Sequence, residues 1–116
     1  MYELYLRLPT SEAQAPDMLQ ALAHVMVSAQ IDRGCDHVEL ARDTEDMSVL
    51  IYVEDWADRP QLERRIRSER FGALLGLMEA CPVAPRLEVR FVSEVQGLDY
   101  VASLRRGDGT GPTPSG

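Results

Sequence analysis

A chain of 116 residues with 45% hydrophobic and 27% charged side chains has the size and composition of one globular domain and leaves no room for a second. Its 12 basic residues against 19 acidic ones give a formal charge of -7, which opposes a nonspecific grip on nucleic acid or on an anionic membrane. Every basic residue is Arg, and neither Lys nor Asn occurs, so Schiff-base lysine chemistry, a phosphate-loop lysine and any Asn carboxamide site are excluded.

Tyr2 to Leu8 alternate, with Tyr2, Leu4, Leu6 and Leu8 on one side and Glu3, Tyr5 and Arg7 on the other, which predicts a first strand and no signal peptide. Pro16 suits a first helical turn, and Met18, Leu22, Val25, Met26 and Ala29 recur at helical spacing before the stop expected at Gly34. Cys35 to Arg42 alternates again as a second strand. Asp43 to Asp46 reads as a hairpin turn into a third strand, Met47 to Trp56. That strand is apolar on both parities, with Met47, Val49, Ile51 and Val53 expected on the core and Leu50, Tyr52 and Trp56 on the other face.

Asp58 can cap a helix with Pro60 in its first turn and an apolar edge at Leu62 and Ile66, continued by Phe71, Leu74, Leu75 and Met78. This predicts two short helices, or one bent near Ser68. Leu87, Val89 and Phe91 alternate as a fourth strand, and Leu98, Val101, Ala102 and Leu104 fit a short terminal helix. The expected division is one domain over residues 1–106 and a disordered tail over 107–116, where Gly, Pro, Ser and Thr predominate.

The order strand, helix, strand, strand, helix, strand is that of an α+β ferredoxin-like βαββαβ fold, with an antiparallel sheet and its helices on one face. The other sheet face, with Tyr5 and the second parity of the third strand, would carry apolar area, and a second copy of the chain is the simplest cover. A homodimer with its sheets face to face is expected. Cys35 and Cys81 stand too far apart in sequence for a zinc-ligand pair or a redox motif. They read as free buried thiols, with no metal site and a cytoplasmic setting.

Gly34-Cys35 opening the second strand, Glu54-Asp55-Trp56 closing the third and Ser68-Glu69-Arg70-Phe71 in the next helical region resemble the antibiotic biosynthesis monooxygenase family of dimeric α+β barrels. The resemblance covers about residues 1 to 95. It implies a cofactor-independent monooxygenase, with no cofactor, acting on a hydroxylated aromatic such as a quinol or polyketide-derived phenol. Quinol-oxidising relatives place a His nine residues after the motif Trp, where this chain has Arg65, and the haem-degrading pattern meets Arg65 and Leu75 with no Asn on the first strand. Two alternatives stay open: a noncatalytic ligand-binding or interaction module on the same barrel, and an oxygen-independent isomerase or cyclase.

Trp56 and Tyr52 offer apolar rings with polar tips to a flat aromatic ligand, and would serve equally in packing or at a dimer face. Arg65 lies in a run with Arg64, Arg67 and Arg70, which reads as a solvated helix face; turned inward, its charge would hold a phenolate. His37 is the candidate base on the second strand, with solvent exposure as the plain alternative, and His24 sits on a helix flank. Phe71 and Met78 are candidate substrate contacts that equally fit a core. No helix-turn-helix pattern accompanies the fold, which speaks against nucleic acid as a partner, as the charge does against a membrane.

Overall fold

The computed structural model describes residues 1–107, so the tail expected from 107 onward lies outside the described residues except for Gly107. Its elements are β1 (Tyr2–Pro9), α1 (Ala15–Gln30), β2 (Cys35–Arg42), β3 (Val49–Trp56), α2 (Arg59–Arg67), α3 (Glu69–Glu79), β4 (Arg86–Phe91) and α4 (Leu98–Arg105). The four strands form one antiparallel sheet in the order β2-β3-β1-β4, the ferredoxin-like arrangement. Each crossover helix therefore joins strands separated by one intervening antiparallel neighbour.

Local chemistry accounts for the boundaries. Ala15, Met18, Leu22, Val25 and Ala29 are the buried residues of α1, spaced to form one stripe. In the β2–β3 turn, Asp43 accepts from the Glu45 backbone N–H at 2.9 Å and Asp46 from that of Ser48 at 3.0 Å. Arg7 of β1 donates to Asp43 at 2.6 Å, tying the turn to the central strand. Asp58 caps α2 by accepting from Gln61 N–H at 2.9 Å. Ser68 has extended backbone, ψ 154°, and so separates α2 from α3. Its hydroxyl donates to the Arg65 carbonyl at 2.7 Å and accepts from Phe71 N–H at 3.3 Å, ending one helix and starting the next.

The core lies between the sheet and the α1–α3 layer. Leu4, Leu6 and Leu8 of β1 and Leu50 and Tyr52 of β3 meet Met18, Leu22 and Val25 of α1 and Phe71 and Leu74 of α3. This corrects the expected parity of β3. Leu50, Tyr52 and Trp56 face the helices together with Glu54, all buried, whereas Ile51 and Val53 are half-buried on the open face beside Tyr5. Helix α2 departs from expectation in the same way: Arg65 is buried next to Leu62, and Ile66 is exposed. Helix α4 buries Ser103, and Leu98, Val101 and Leu104 on it are exposed.

Candidate functional site

Strand β3 and helix α2 bring one buried polar cluster together. Leu62 and Arg65 are three residues apart in α2 and so share a face, which carries the Arg65 guanidinium under the sheet end where Glu54 points inward. Both side chains are fully buried, and Arg65 Nη2 donates to Glu54 Oε2 at 2.9 Å while Nε donates to Oε1 at 3.3 Å. Tyr52 O–H donates to Oε2 at 2.5 Å and Trp56 Nε1–H to Oε1 at 3.0 Å. Four donors thus converge on one carboxylate. A buried ion pair is tolerated only when its remaining lone pairs and protons are satisfied in this way, and the face of Phe71 adds to it, its centroid 5.7 Å from the guanidinium carbon.

The electrostatics follow from that geometry. Burial works against the Arg65 charge, but the hydrogen bonds and field of Glu54 outweigh it and raise the Arg65 pKa. Burial, then the neighbouring Glu54 charge, pushes the Tyr52 phenol far above its ordinary value, so it stays a donor. Cys35 is carried beside Trp56 by a bulge between Cys35 and His37. Burial first, and Glu54 second, push its thiol up to about 11, and burial also raises Cys81.

One donor of the cluster is left over. Arg65 Nη1 is buried with no hydrogen-bond partner, and Asp32 Oδ2 is 4.0 Å away. Beside it opens a cavity of about 120 Å³ lined by Asp32, Arg33, Trp56, Arg64, Arg65 and Ser68, with Gln61 completing the wall. Gln61 lies across Gly34, whose φ of +86° is the left-handed turn that leads from α1 into β2.

Of the residues singled out from sequence, Tyr52, Trp56, Arg65 and Phe71 come together. The indole N–H of Trp56 and the hydroxyl of Tyr52 point at Glu54, which leaves the Trp56 ring as the part that meets the cavity. His37 is exposed on the open sheet face, opposite Asp55 in register. Met78 lies apart from the cluster, beside Leu75, Glu79 and Pro85, and exposed His24 borders a groove between α1 and α3. Glu54 and Asp32 were missed. The signal for Glu54 was its parity, since it alternates with Tyr52 and Trp56; Asp32 lies in a turn, where spacing carries no such signal. Among the described residues no group of three His, Cys, Asp or Glu side chains is placed to hold a metal ion, and no helix is long and apolar enough to cross a membrane.

Known proteins share the family and the fold. Residues 1–75 match the model of the family described as antibiotic biosynthesis monooxygenase. A Deinococcus radiodurans protein, described as a candidate antibiotic biosynthesis monooxygenase, superposes with a TM-score of 0.75 at 15% identity, covering 84% of this chain and 98% of its own. A structure described as an antibiotic biosynthesis monooxygenase gives 0.69 at 17% identity, covering 81% of this chain and 100% of its own. A conserved protein of Methanosarcina mazei Go1 gives 0.70 at 16% identity, covering 77% and 89%. No curated protein matches the chain.

Proposed function

The chain belongs to the antibiotic biosynthesis monooxygenase family, and from that premise we propose that it oxygenates a single-ring hydroxylated aromatic without a cofactor. The observation that carries this reading is Arg65 Nη1, a buried donor that makes no hydrogen bond, beside a cavity walled by Trp56. A phenol oxygen would take that donor, and the fixed positive charge favours the phenolate, the form that most readily gives electrons to oxygen. The cavity, about 120 Å³, is close to the roughly 150 Å³ in which an apolar protein cavity binds benzene, which favours one ring over a polycyclic polyketide.

The balanced reaction for a phenol with an open para position is phenol plus dioxygen giving quinone plus water. One oxygen atom enters the ring carbon as a carbonyl and the other leaves as water with the two displaced hydrogens. Asp32, on the cavity wall and partly exposed, is placed to accept the phenol proton; Glu54 and Tyr52 are occupied with each other and with Arg65. That occupation favours a second reading, a module that binds the phenol without turning it over. We further place the protein in the cytoplasm as a homodimer whose open sheet faces meet across Tyr5, Ile51 and Val53, half-buried apolar residues that no helix of their own chain covers.

The test is oxygen uptake by the purified protein, without added metal or flavin, over a panel of single-ring phenols and hydroquinones. Saturable uptake above autoxidation, one dioxygen per phenol converted to quinone and lost in Asp32→Asn, is the expected result. Ligand binding without uptake would leave the binding module standing and remove the oxygenase.

A further inference from the structure

The cavity beside Arg65 is more basic than a bare phenol requires. Three arginines are among its lining residues, Arg33 from the α1–β2 turn and Arg64 and Arg65 from α2, in a chain whose net charge is -7. The neighbouring arginines have partners: Arg59 and Arg67 share Glu63 at 3.2 and 4.0 Å, and Arg70 meets Asp32 at 3.7 Å. Arg33 and Arg64 are exposed and have no ion pair among the described residues, although Glu63 is the residue next to Arg64 in the chain. The one acid in the wall, Asp32, is drawn toward Arg70 and Arg65. Positive charge is therefore left at the rim, with the Trp56 ring and the Nη1 that makes no hydrogen bond further in.

Resting on the aromatic-substrate reading above, we propose that the ligand is a hydroxylated arenecarboxylate, its phenol oxygen on Arg65 Nη1 and its carboxylate held at the rim by Arg33 and Arg64. A planar guanidinium matches a carboxylate with two parallel N–H donors, and two such groups at a half-open mouth orient the ring between them and the buried third. The same rim charge raises the local concentration of an anionic substrate against the overall negative field.

Calorimetric titration at low ionic strength compares 3-hydroxybenzoate, whose position para to the hydroxyl is open, with phenol, on the wild type and on Arg33→Ala/Arg64→Ala, two exposed positions whose loss leaves the buried ion pair in place. The expected result is that 3-hydroxybenzoate binds at least tenfold more tightly than phenol, that added salt reduces the advantage, and that the double variant shrinks it below about threefold. Equal binding of acid and phenol, or an advantage that survives in the double variant, overturns the proposal. Titration reads binding without oxygen, so the two hypotheses separate. Acid-favoured binding with no oxygen uptake keeps this proposal and removes oxygenation. Phenol binding and oxygen uptake with no acid advantage do the reverse, and binding of neither removes both.

Discussion

Glu54 and Arg65 are each the other's justification for being buried, and the cost of separating them sets the first prediction. Arg65→Met leaves a carboxylate in the core with two neutral donors and no counter-charge, and is expected to destabilise the fold by about 3–5 kcal/mol. Glu54→Gln/Arg65→Met together should recover most of that loss, because the uncompensated charge is gone. Urea denaturation of the three proteins measures both. Cys35 gives the second prediction. With its thiol pushed up to about 11 from 9.0, its thiolate fraction at pH 8 is roughly a hundredfold below that of an ordinary thiol of the native reference value, so iodoacetamide should alkylate it correspondingly slowly. The sign for stability is equally definite. The folded chain holds this proton where the unfolded chain has released it, so stability falls as pH rises from about 9 toward 11, and Cys35→Ala should flatten the alkaline limb of a thermal-stability profile.

At the level of elements, the turn at Gly34 supplies a local test. Its φ of +86° suits glycine, and a Cβ there would lie 1.5 Å from Gln61 Oε1. Gly34→Ala is expected to cost about 1–2 kcal/mol for the left-handed backbone alone and to push Gln61 off the cavity wall, so a shift in ligand affinity should accompany the lowered urea midpoint. The order and approximate limits of all the elements were legible from sequence, because alternation in β1, β2 and β4 and the 3–4 spacing of α1 each favour one period. Which face of β3 meets the core was not, since Val49, Ile51 and Val53 are as apolar as Leu50, Tyr52 and Trp56 and periodicity offers no way to choose between them. The tie is broken by a tertiary fact, the Arg65 guanidinium arriving beneath Glu54. Arg65 in turn is indistinguishable, among Arg64, Arg67 and Arg70, from a solvated residue until α2 is docked with Leu62 inward. His37 and Met78 separated from the cluster for a related reason: residue type marked them as candidates, whereas sheet face and position along the helix layer decide what they meet.

For the molecule as a whole, a radius of gyration of 17.3 Å and extents of 51 × 35 × 21 Å exceed the roughly 13 Å radius expected of a compact chain this long. Helix α4 buries Ser103 and exposes Leu98, Val101 and Leu104. If two copies join through their open sheets, sedimentation velocity at micromolar concentration should give twice the 13.0 kDa of one chain, and Val53→Glu should return the monomer mass while the folded spectrum persists. A single-chain mass for the wild type would remove the dimer. The pairing of β1 with both β3 and β4 has a consequence for synthesis. The first strand to leave the ribosome is the last to be fully enclosed, since its second partner ends at Phe91. At ordinary translation rates the backbone edge of β1 waits on the order of ten seconds for that partner, an interval in which its unpaired N–H and C=O groups are open to another strand.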